Sequence, residues 1–245
     1  MPTIHADDPR AIALTTAIRA GQFETLQRHL REHPELAAAS IVDARGVSRS
    51  LLHVVADWPG HFPNAARCVA VLVAAGANPN VRLVSAPPAP PGETPLHWAA
   101  SSDDVDVVDA LLDGGADIEA PGAPFTGGTA MSNAVVFAQW RAARRLVDRG
   151  ASTTLWQAAA LGVIDRVQLA LHGATPPSAE AITNALWHAC RGGQHAVAVL
   201  LAERGGDVNW IGHDHKSPLD VAYESGNREL VSWLQSAGAI RPTAR

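Results

Sequence analysis

Two stretches carry residue types that could do chemistry. Residues 57–63 read Asp-Trp-Pro-Gly-His-Phe-Pro. They place a carboxylate, Asp57, and an imidazole, His61, on one short loop stiffened by two prolines. That pair could serve as general acid and base, because His changes charge near neutral pH. The second stretch is His213-Asp-His215. Two His at i and i+2 in an extended tip face the same way and could bind a metal. A zinc site needs three or four ligands, and the sequence supplies no others nearby, so a solvated polar turn is expected and no metal is assigned. Neither stretch comes with a nucleophile. There is no Gly-x-Ser-x-Gly, and His188 and Cys190 sit two residues apart on one predicted helix, where their side chains diverge.

The elements that position these residues are read best from residues 92–119. Thr94 is a helix N-cap and Pro95 takes the first helical position, where no donor is lost. Leu96, Ala99 and Ala100 form the buried side of a short helix, and Val105, Val107, Val108, Leu111 and Leu112 form the apolar face of a second. Gly115 ends it. One such pair cannot bury its own apolar face, so copies must stack. Copies are headed by Leu14, Leu52, Met131, Leu155, Leu186 and Leu219, and Leu186 to Leu219 spans 33 residues. With this period and the Thr-Pro-Leu-His-Trp-Ala motif at Thr94–Ala99, the chain resembles the ankyrin-repeat family from about residue 11 to 241. The resemblance implies an all-α, ankyrin-type solenoid of about seven stacked helix pairs with short hairpin-like fingers. It also implies a binding role without naming a partner.

One solenoid over 11–241 accounts for the length, with a loose arm at 1–10 and a tail at 242–245. Two features depart from regularity: the insertion at 57–63 and the Pro-rich link at 83–92. A third is a notch. Met131 to Leu155 spans 24 residues, so no room is left for a finger. Apolar residues make up 47% of the chain and the net charge is −5, without a basic stripe to release counterions from nucleic acid. The longest apolar run, 68–77, is too short to span a bilayer. The acidic start lacks the apolar core of a signal peptide. Cys68 and Cys190 occupy small buried slots in different repeats and are expected to stay unpaired, which fits a reducing cytoplasm.

The residue after the motif His points toward the inner face in such a stack. Those positions hold Thr16, Val54, Trp98, Asn133, Gln157, His188 and Val221. A large aromatic group among polar neighbours is a typical anchor for a partner. The expected binding set is therefore Trp58, His61, Trp98, Asn133, Gln157 and His188. Non-covalent protein binding through the concave groove and fingers is the leading expectation, with no cofactor, nucleic acid or membrane. The alternative is a small-molecule binder or enzyme, with Asp57 and His61 as acid and base over the inner face. His53 and His97 are expected to be structural. Trp156 and Trp187 are expected in the same motif slot as fillers. Asp103 and Asp104 are expected in a solvated turn, and Arg141, Arg144, Arg145 and Arg149 on an exposed face partly paired with Asp148.

Overall fold

A computed structural model describes residues 2–85 and 92–241. The centre of the Pro-rich link, residues 86–91, and the 242–245 tail lie outside the described residues. The chain divides into two compact units, Met1–Ala151 and Ser152–Arg245. The division falls within 150–154, where the short spacing leaves out a finger.

The first unit contains four helix pairs: α1 (Pro9–Arg19) with α2 (Phe23–Glu32), α3 (Leu51–Val55) with α4 (Ala65–Ala74), α5 (Pro95–Ser101) with α6 (Val105–Asp113), and α7 (Ala130–Val136) with α8 (Trp140–Asp148). The first helices pack in the order α1, α3, α5, α7, and the second helices in the order α2, α4, α6, α8. Leu14, Leu52, Leu96 and Met131 head the pairs and are almost wholly buried. Each contributes about 2 kcal/mol on removal from water. Residues 2–10 do not form the expected loose arm. Strand β1 (Thr3–His5) pairs in parallel with β2 (Ser40–Val42), which pairs antiparallel with β3 (Ser48–Ser50). Ile4 is buried there, and this apolar contact with the backbone ladder orders the segment.

The second unit contains α9 (Leu155–Leu161) with α10 (Ile164–Leu171), α11 (Ala179–Arg191) with α12 (His195–Glu203), and α13 (Pro218–Ser225) with α14 (Arg228–Ser236). Helix α11 packs between α9 and α13. Its core gathers Ala158, Val167, Leu186, Trp187, Leu201 and Leu230. Among the described residues no helix is long and apolar enough to cross a membrane.

Four charged residues behave differently from expectation. Asp104 is buried, not solvated: its Oδ1 accepts from Val107 N at 3.3 Å and so caps α6. Asp103 Oδ1 accepts from Ala142 N at 2.7 Å, which ties the α5–α6 turn to α8. Among the described residues the direct ion pairs of Arg145 and Arg149 cross to the adjacent repeat, and Asp148 adds only a charge attraction to Arg145. Arg145 Nε donates to Asp109 at 2.7 Å, and Arg149 donates to Asp109 at 2.7 Å and to Asp113 at 2.6 Å. A carboxylate on the adjacent repeat offers this fork better geometry than one on the same helix.

Candidate functional site

In the first unit the insertion after α3 folds back toward the α5–α6 turn. His61 N donates to Asp104 Oδ2 at 2.6 Å, and His61 Nε2 donates to the Ser102 carbonyl at 3.1 Å. Gly60 allows the approach. Its φ is +76°, and a Cβ there would stand 2.9 Å from the Ser102 side chain. Asn64 Nδ2 anchors the far end to Gly21 O at 2.9 Å. The loop is therefore held at both ends, and Trp58 projects from it at 80% exposure.

Beneath Trp58 lies an open cleft of about 210 Å³, walled by Trp58, Trp98, Phe137 and Pro124 and bordered by Asp57 and Glu93. Trp98 Nε1 donates to Glu93 Oε2 at 3.0 Å, and its ring meets His53 edge-on at 5.1 Å. Asn133 Nδ2 donates to Glu93 Oε1 at 2.5 Å. Asn133 is buried and orients Glu93 from below. Phe137, 43% exposed, ends α7 and is backed edge-on by Phe125 at 5.9 Å.

The acid–base pairing of Asp57 and His61 is not formed. Asp57 Oδ2 lies 3.2 Å from Arg19 and 3.3 Å from Arg49, so the carboxylate is engaged by two guanidiniums. His61 is engaged with Ser102 and Asp104. No hydrogen bond or ion pair joins Asp57 to His61 among the described residues. A base must reach its proton, and this one is spent on structure.

In the second unit the expected binding residues are buried. His188 lies between Trp156 at 4.7 Å and Trp187 at 5.0 Å, with the His213 ring at 5.4 Å. Its Nδ1 has no hydrogen-bond partner among the described residues, and burial pushes its pKa down to about 3, with the charges of His213 and Arg191 adding to the effect. His213 is engaged by Asn184 Oδ1 at 3.1 Å and by the Trp187 and Trp210 rings. Among the described residues no three His, Cys, Asp or Glu side chains gather as a metal site. Gln157 does not take the inner position. It is the third residue of α9, and its Oε1 accepts from Thr154 N at 2.8 Å to cap its own helix.

Comparisons with known proteins bear on this arrangement. An ankyrin-repeat profile matches residues 91–123, and a profile for three ankyrin repeats matches residues 155–245. The chain belongs to the ankyrin-repeat family. Its fold is similar to the crystal structure of the human ASB11 ankyrin repeat domain, with a TM-score of 0.53 and 21% identity. That match covers 94% of this chain and 99% of that one. No curated protein matches the chain in sequence. Ankyrin repeats are generally protein–protein interaction modules.

The ankyrin motif His explains the slots that the sequence leaves ambiguous. His53 Nδ1 accepts from Ser50 N at 3.2 Å, and its Nε2 donates to Glu93 O at 3.1 Å. His97 repeats this with Thr94 N at 3.2 Å and Gly128 O at 3.3 Å. Each imidazole caps its own helix and donates to the backbone just before the next repeat. Burial lowers both pKa values to about 4. Trp187 is more than filler: its Nε1 donates to Lys216 O at 2.8 Å, the equivalent bridge made with an indole. In α13 the slot holds Asp220, whose Oδ2 accepts from Ser217 N at 3.0 Å. Trp156, by contrast, falls one position earlier in α9 than the spacing suggests.

Sequence reasoning missed Glu93 and Phe137. Glu93 immediately precedes the Thr94 cap, and Phe137 occupies the helix-end position that Ser102 takes after α5. An apolar ring where the neighbouring repeat has a hydroxyl is the only signal available beforehand.

Proposed function

We propose that the chain is a non-covalent protein-binding module whose first unit takes a partner segment at the Trp58–Trp98–Phe137 cleft. The observation that carries this reading is the open aromatic cleft under an indole that is 80% exposed. Large aromatic groups held by a rigid scaffold concentrate binding energy at little ordering cost. At about 210 Å³ the cleft is smaller than the roughly 300–1,000 Å³ of small-molecule sites. It matches one inserted side chain better than a metabolite. Trp58, Trp98 and Phe137 make the contacts in this reading, while Asn133 and His61 hold Glu93 and the loop in place. Burial of Gln157 and His188 leaves them a structural part. A cytoplasmic setting is supported by two buried free cysteines. A net charge of −5 favours neither nucleic acid nor an anionic membrane.

The test is capture from the native cell with the wild-type chain and with Trp98→Phe and Trp98→Ala. A partner anchored here should bind Trp98→Ala with about 2 kcal/mol less affinity, roughly thirtyfold. Trp98→Phe should bind between the two. A stoichiometric partner indifferent to both substitutions would refute the reading.

A further inference from the structure

The charges around the cleft specify the side chain that enters it. Among the described residues its charged lining is Asp57 and Glu93, both acidic. Asp57 is already neutralised by Arg19 and Arg49. Glu93 differs. Each of its oxygens holds one neutral donor, from Trp98 or Asn133, and no cationic side chain pairs with it among the described residues. A carboxylate offers about four acceptor positions, so about two on Glu93 stay open. The two donors hold it at the cleft's edge in one orientation.

The walls fit the same occupant. Indole and phenyl faces carry negative quadrupole potential and attract a cation. A guanidinium or ammonium group could place its apolar stem along Phe137 and Pro124 and its head at Glu93. An acidic side chain would meet Glu93 with like charge, and an aliphatic one would leave the carboxylate desolvated without a partner.

We infer that the cleft binds a lysine or arginine side chain of an extended partner segment, with Glu93 as counter-ion and Trp58, Trp98 and Phe137 as the cage. This rests on the proposed protein-binding function and goes further by naming the recognised residue.

The experiment uses the full chain and four pools of degenerate heptapeptides with the central residue fixed as Arg, Lys, norleucine or Glu. Tryptophan fluorescence reads binding. The Arg or Lys pool should bind about tenfold or more tightly than norleucine, with the Glu pool weakest. Glu93→Gln should bring the cationic pools down to the norleucine level. Trp58→Leu, at an exposed position where folding is not at issue, should weaken the cationic pools several-fold more than the norleucine pool. Added salt should weaken the cationic pools of the wild type alone. Equal binding of norleucine and cationic pools, sensitive to Trp98→Ala, would overturn the cation inference and leave the protein-binding reading standing. Absence of binding by every pool would also overturn the inference. The protein-binding reading falls separately, if a captured partner ignores Trp98→Ala.

Discussion

Replacing His53 and His97 with glutamine should remove most of the first unit's sensitivity to mild acid. Both imidazoles are fully buried, and each accepts a backbone N–H at Nδ1 while donating from Nε2. Protonating Nδ1 would put a charge in the core and turn that acceptor into a donor. Burial is the main reason their pKa values fall from 6.5 to about 4, and the nearby charges of Arg49 and Arg82 add to it. The unfolded chain takes up these protons near 6.5. Stability is therefore full above pH 6.5, falls as the pH drops from 6.5 to about 4, and levels off below that. A tenfold change in proton affinity is worth about 1.4 kcal/mol, so each histidine accounts for about 3 kcal/mol across the window. By pH 5 the loss is about 2 kcal/mol per histidine, or about 4 kcal/mol for the pair. Asp109 does not contribute there. Burial would raise its pKa, but Arg145 and Arg149 more than offset this and hold it below the usual carboxylate range.

Glutamine suits the substitution because Gln157 already caps α9 in the same way. It keeps the acceptor and cannot titrate. The lost bridges to Glu93 O and Gly128 O should cost about 1 kcal/mol each at pH 8. Urea unfolding of the full chain at pH 8 and pH 5 measures the effect, with the His188 contribution common to both proteins. The wild type should lose about 4 kcal/mol more than His53→Gln/His97→Gln between the two pH values. An equal loss in both proteins would refute the assignment.

Trp187→Phe should destabilise the second unit by about 1–3 kcal/mol by leaving the Lys216 carbonyl unpaired, measured by urea unfolding. Trp187→His should recover part of that loss, since His53 and His97 make the same bridge. Asp104→Ala removes both the α6 cap and the His61 N–H acceptor; it should cost about 2 kcal/mol and loosen the 57–64 loop, seen as faster amide exchange at His61. Asp57→Asn should leave binding at the cleft within a factor of about two and lower stability slightly, because its partners Arg19 and Arg49 are partly exposed. Amides of α10, which buries only Val167 and Leu171, should exchange faster than those of α6, which buries Val107, Val108 and Leu111.

Helix identity and repeat count are local matters, and the sequence determined them. Thr94 and Pro95 at a helix start, apolar residues at 3.6-residue spacing and a glycine after the second helix each act within a few residues. Gly76, Gly115, Gly150, Gly205 and Gly238 all take φ between +83° and +98° at that place, so the period is written in backbone chemistry. The missing finger at 150–154 was equally legible, because a deletion shows in spacing alone. What tertiary structure decided is where each polar atom finds its partner. Asp104 reads as a solvated turn residue until the 57–63 insertion covers it. Arg145 reads as pairing within its helix until α6 presents Asp109. Leu155 and Gln157 read one position out of register because α9 lacks the Pro that marks the first helical residue at Pro95 and Pro218. Glu93 and Phe137 become a site only when repeats bring residues 58, 98 and 137 to one cleft. Those partners lie some 30–80 residues apart in sequence, and only stacking, which follows from burying every repeat's apolar face, brings them into contact.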